Sequence, residues 1–109
     1  MKTPILIVKK LPAAGMAIFP FILVKSANLK KDSEVINHEK IHIRQQLELL
    51  VFPFYALYLF NYLLNLIRYR NHDLAYRNII FEREAYKHEA DLQYLKQGNW
   101  FGWLKNLKP

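Results

Sequence analysis

Apolar and polar positions along this chain fall into two regimes that meet near residue 26. Residues 3–9 and 17–25 are dense in Ile, Val, Leu and Phe, with Pro12 and Gly15 between them. Short apolar runs bounded by turn residues read as strands, so this region predicts two strands joined as a loose β-hairpin. Pro20 lies inside the second run and offers no N–H, which predicts an edge strand there. Residues 26–33 read as a polar loop that ends in a helix N-cap at Asp32 or Ser33.

From there the spacing becomes helical. A first helix is predicted from Glu34 to Val51, interrupted at Phe52-Pro53 because the residue before a proline avoids the helical region. A second runs from Phe54 to Arg70. Asn71-His72-Asp73 then makes a turn with Asp73 as cap, and a third helix runs from Leu74 to Gln97 and stops at Gly98. The predicted fold class is a small α+β domain, mainly α with a short N-terminal β-hairpin. One domain of 109 residues is expected, with the hairpin in 1–25, a three-helix core in 33–97 and an aromatic, basic tail in 98–109.

The middle of the chain complicates a purely soluble picture. Leu49 to Ile67 is 19 residues without a charge, at the lower edge of what spans a bilayer. A domain this small can hardly wrap a helix that is apolar all round, so contact with lipid or with a hydrophobic partner subunit is expected. The tail places Trp100, Phe101 and Trp103 among Lys105 and Lys108, a pattern that suits a membrane–water interface or a turn packed back on the core.

Composition narrows the chemistry. Hydrophobic residues make up 52% and charged residues 23%, which excludes a disordered chain. With no cysteine, disulfides, Cys-based zinc fingers, iron–sulfur clusters and thiol nucleophiles are excluded. The formal charge of +7 favours anionic partners. Lys9-Lys10, Lys30-Lys31, Arg68/Arg70 and Lys105/Lys108 nevertheless flank apolar segments and form no stripe, which argues against nucleic acid. The apolar stretch after Lys2 is stopped by Lys9 and Lys10, too early for a secretory signal. A membrane-associated or cytoplasmic location is expected.

His38-Glu39-Lys40-Ile41-His42 carries the candidate chemistry. Positions i and i+4 share one helix face, so both imidazoles can reach one metal ion. Glu39 is displaced round the helix, where it can accept a proton from a metal-bound water whose pKa zinc lowers toward about 7. With four His and six Glu in the chain, chance produces this pattern in about one such sequence in a hundred. The alternative is two surface histidines on a helix.

Two histidines leave a zinc ion short of a third protein ligand. His72, His88, Asp73, Asp91, Glu82, Glu84 and Glu89 are the candidates. Taking about 100° per residue along the third predicted helix, Ala75, Ile79, Phe81, Ala85, Tyr86, Ala90 and Leu92 form an inward arc. Glu82 falls near its middle and Glu89 beside it, whereas Glu84 falls opposite with Arg83, Lys87 and Asp91. A carboxylate centred on an apolar stripe is costly unless paired or metal-bound. Glu82 is therefore the expected third ligand, with Glu84 the fallback. At about 1.5 Å per residue, Glu82 returns to the level of His42 only if the chain reverses near Pro53 and again near Asn71. A single membrane span over 49–67 would separate them. The apolar segment is then a re-entrant hairpin, an interfacial helix or a helix shared with a partner.

His38-Glu39-x-x-His42 followed by Glu82-Arg83-Glu84-Ala85 resembles the gluzincin zinc metallopeptidases, with their HExxH and later ExxA. The continuation to Gln45, HExxHxxQ, is similar to several compact zincin-type domains. The resemblance covers about half the chain. It implies His38, His42 and Glu82 as zinc ligands, Glu39 as general base and a peptide or protein substrate. It also implies an edge strand, here Ala17–Lys25, that binds substrate backbone in extended form. Tyr86 stands where many gluzincins carry an Asp that orients a histidine. That role then falls to Glu89 or Asn37, and Tyr86 is either an oxyanion donor or a core aromatic.

The function expected is zinc-dependent peptide hydrolysis at a membrane. The alternative is a non-catalytic membrane-associated adaptor in which zinc staples two helices. Closure of the open ligand position by His72 would favour that alternative. Whether the metal is zinc or another ion is left open by the sequence.

Overall fold

The computed structural model describes residues 3–107, apart from the side chain of Asn106. Met1, Lys2, Lys108 and Pro109, which entered the readings of the two termini, lie outside the described residues. The protein is a small α+β fold, mainly helical, with a three-stranded sheet near its N-terminus. The strands are β1 (Ile5–Ile7), β2 (Gly15–Ile18) and β3 (Phe21–Val24), in the order β1-β3-β2. The expected hairpin between 3–9 and 17–25 is thus replaced. The second apolar run is itself the hairpin, β2 and β3 pairing antiparallel around the cis Phe19–Pro20 turn, while β1 pairs parallel with β3. Pro20 marks a turn, so within this run β3 is central and β2 is an edge, with β1 as the opposite edge.

The loop expected at 26–33 contains a one-turn helix, α1 (Ala27–Lys30), capped by Ser26. Helix α2 (Ser33–Glu48) starts at Asp32, whose carboxylate accepts from the N–H groups of Glu34 and Val35. It ends three residues sooner than expected. Leu50, at φ 61° and ψ 148°, turns the chain, and Pro53 sits inside the first turn of α3 (Val51–Tyr69), where its missing N–H costs nothing. Arg70 closes α3 in the left-handed conformation.

The long third helix is corrected to two short ones, α4 (His72–Arg77) and α5 (Ile80–His88), followed by turns and a 3-10 segment at Gly102–Asn106. Asn71, not Asp73, caps α4. The breaks come from tertiary caps. Asn61 of α3 accepts from the Ile80 N–H at 2.7 Å, which starts α5 afresh. Asn37 of α2 donates to the carbonyls of His88, Glu89 and Asp91 at 2.8–3.2 Å, which ends it. Gly98 has φ 96° well beyond that end.

Among the described residues, three apolar clusters hold the layers. Ile22 and Val24 pack on Ile36 and Ile43 between sheet and α2. Ile41, Ala85 and Tyr94 join α2 to α5 and the tail. Phe54, Ile79 and Phe81 join α3 to the start of α5, with Trp103 against Phe81. Among the described residues no single helix is long and apolar enough to cross a membrane; α2 and α3 pass that test only as a pair bent by 112°.

Candidate metal centre

Helix α2 buries an unusual polar stripe: Asn37, His38, Glu39, His42, Gln45 and Gln46 are all buried. It faces the sheet on one side and α5 on the other, so each of these groups must find a partner. His38 and His42 point their Nε2 atoms at one spot, 3.2 Å apart. Glu82, in the first turn of α5, brings Oε1 to 3.1 Å from the first and 3.0 Å from the second. Ligand bonds of about 2.0–2.1 Å at tetrahedral angles place donor atoms about 3.3 Å apart, so the spacing fits one ion.

The outer ring nitrogens determine which lone pairs face inward. His38 Nδ1 meets Glu89 Oε1 at 3.1 Å, and His42 Nδ1 meets Gln45 Oε1 at 2.7 Å. The Gln45 amide is oriented by its own donations to the Phe81 carbonyl at 3.0 Å and to Glu84 Oε1 at 2.7 Å. Both imidazoles therefore carry their first proton on Nδ1, and each Nε2 presents a lone pair to the Glu82 carboxylate. Three acceptors meeting in a buried space require a cation, and the group can hold a metal ion. Without a metal, a proton fills that place. Burial pushes the His42 imidazolium pKa down, but the Glu82 charge and hydrogen bond outweigh it and raise it to about 9. The same contacts, with Tyr58, hold Glu82 well below the usual carboxylate range against its own burial.

Glu39 lies alongside, its pKa raised by burial although both histidines pull it down. Its carboxylate presses on Gly15 of β2: a Cβ built there would stand 3.1 Å from Glu39 Oε2. Both line a cavity of about 500 Å³ that also reaches His42, Glu82, Met16, Phe54, Tyr58 and Tyr76.

The remaining sequence-derived candidates sort clearly. Glu89 sits on His38, and Asn37 fixes the backbone that carries it. Tyr86 lies edge-on to His38, centroids 4.6 Å apart, with the Arg77 guanidinium over its ring. Glu84 is corrected: it is buried rather than outward, and its oxygens are held by Gln45 and by Tyr94 at 2.5 Å, away from the cluster. Helical phase misplaced it because residues 94–102 cover the far side of α5. The inward arc fails at its end because α5 stops at His88, so Ala90 and Leu92 lie beyond the helix and are exposed. His72 bonds Tyr62 at 2.9 Å and His88 stacks on Tyr94; neither joins the cluster.

The edge-strand expectation also changes. The outward carbonyl of Ala17 accepts from Gln46 Nε2 at 2.8 Å and from the Tyr55 hydroxyl at 3.2 Å, and the Phe19 N–H donates to Gln46 Oε1. One glutamine amide thus substitutes for a neighbouring strand beyond Gly15. Tyr58, whose hydroxyl donates to Glu82 Oε2 at 2.5 Å, was missed as well. Its signal was the stripe Phe54, Tyr58, Asn61, Tyr62 and Asn65 on one face of α3. Comparison with known proteins adds nothing to this geometry: no family model, curated protein or solved structure matches the chain.

Proposed function

We propose that the chain is a zinc-dependent peptide hydrolase in which Glu39 is the general base. The observation that carries this reading is the convergence of two Nε2 lone pairs and one carboxylate oxygen beside a second buried carboxylate at the mouth of an apolar cavity. His38, His42 and Glu82 would hold a divalent ion, which when bound would supply Lewis acidity to the scissile carbonyl and to the attacking water. Glu39 takes one proton from that water as its oxygen bonds to the carbonyl carbon. It then delivers the proton to the departing amine nitrogen as the C–N bond breaks, so one water is consumed. The raised pKa of Glu39 suits a group that must hold a proton between the two steps. Substrate backbone pairs with β2 only at Gly15, because Gln46 and Tyr55 occupy the edge beyond it.

Metal per chain, measured by elemental analysis, comes first. One zinc is expected for the native protein, none for Glu82→Gln, and one for Glu39→Gln. Peptide hydrolysis should fall at least a thousandfold in Glu39→Gln with the metal retained. Gly15→Ala tests the close approach: the Glu39 carboxylate must shift by a few tenths of an ångström, so zinc stays while kcat falls about tenfold. A bound metal with no hydrolysis, unaltered by Glu39→Gln, would instead support a structural zinc staple in a non-catalytic adaptor.

A further inference from the structure

Among the described residues, nothing covers the outer face of α3. Only Phe54 and Asn65 of its nineteen residues are buried. Taking about 100° per residue, the exposed positions sweep roughly 220° of the helix surface. Phe52, Leu59, Phe60, Leu63, Leu64 and Ile67 lie on it, with Phe52 85% and Ile67 74% exposed. A helix packed against one other helix or a flat protein face buries a stripe of about 100°. A second copy of this chain would therefore leave half of this arc bare, whereas hydrocarbon wets the whole of it.

Charge selects the kind of hydrocarbon surface. Between Glu48 and Asp73 there is no acidic residue, and Arg68 and Arg70 stand at the far end of α3. At the near end, the Glu48 carboxylate holds the backbone of Phe101. Trp100 and Phe101, both largely exposed, are thereby held to the end of α2, where Leu50 and Phe52 begin α3. Beside them a groove on another face of α2 combines Leu47, Leu95 and Trp100 with Lys40, Arg44 and Lys96. An apolar helix with arginines at its far end and a basic, aromatic groove beyond its near end, on a chain of charge +7, matches the interface of an anionic bilayer.

We infer that α3 and the aromatic residues beside its start dock the protein onto the surface of an anionic lipid bilayer, with α3 lying in the interface. This holds whatever the metal centre does. The test is co-sedimentation of the full chain with vesicles of phosphatidylcholine alone and of phosphatidylcholine with phosphatidylglycerol. Partition at least tenfold stronger into the anionic vesicles is expected. The double variant L59K/L63K should lose at least tenfold of it, and K40E/K96E should lose most of the preference for anionic lipid. Circular dichroism and metal content must match the native protein, which these exposed positions should allow. Failure to sediment with either vesicle overturns the proposal. So does a stable dimer by light scattering that L59K/L63K dissociates, since a second copy then covers the face. Equal binding to both vesicles overturns the anionic requirement.

Discussion

A metal ion entering this centre competes with a proton. His42 holds its second proton up to about pH 9 in the metal-free protein, so zinc uptake at pH 7 should release about one proton. Titration calorimetry in buffers of different ionisation enthalpy measures that number directly. The same pair governs metal-free stability. His42 has a folded pKa above its unfolded value, so its contribution is full below about pH 6.5 and lost as pH rises toward about 9. Glu82 is shifted the other way, and its contribution is lost on acidification through its depressed value. The melting temperature of the metal-free protein should therefore fall between pH 6 and pH 9.5. Gln45→Leu removes the acceptor of His42 Nδ1 and strips Glu84 Oε1 of its donor. Metal affinity by chelator competition should weaken about 10–100-fold, with about 1–3 kcal/mol of stability lost. Of these residues, His38, His42 and Glu82 were legible because spacing within one helix and phase within the next sufficed. Glu84 was not, because its burial depends on Tyr94 and Gly102, which no periodicity links to it.

At the level of elements, local caps were readable and distant ones were not. Asp32 announced the start of α2 by its own chemistry, whereas both ends of α5 are set by asparagines about 19 and 51 residues away in the chain. A continuous helical pattern from Leu74 to Gln97 therefore broke into pieces that only the tertiary fold determines. The bend between α2 and α3 likewise owes little to Pro53. It rests on Leu50, an exposed side chain at positive φ with an extended ψ, a backbone region that belongs almost wholly to glycine. Leu50→Gly should relieve that strain and stabilise the protein by about 1 kcal/mol, seen as a shift of a few degrees in thermal melting. Gly102→Ala should do the reverse. A Cβ there collides with the Glu84 carboxylate and the Tyr94 hydroxyl, so the chain from tail to Gln45 to His42 loosens.

Across the whole molecule, the candidate metal centre joins two parts of the chain that lie 40 residues apart in sequence. Unfolding separates the histidines from Glu82, so a metal that prefers the folded site stabilises it by mass action. Free zinc at a hundredfold over its Kd should add about 2.7 kcal/mol, and a chelator should remove that increment in a thermal scan. Helix α3 ties this centre to the outer surface. Its inner side places the Tyr58 hydroxyl on Glu82, while its outer side is bare and apolar. A stiff helix held on its inner face, and docked on its outer one as proposed, behaves as a lever. Any tilt imposed from outside reaches the third ligand through the Tyr58 hydroxyl on Glu82 and through Asn61 on the Ile80 N–H at the start of α5. A displacement of about 1 Å there changes a rate as much as about a hundredfold, so under the hydrolase and lipid-docking proposals together, turnover should follow the thickness and packing of the bilayer beneath α3.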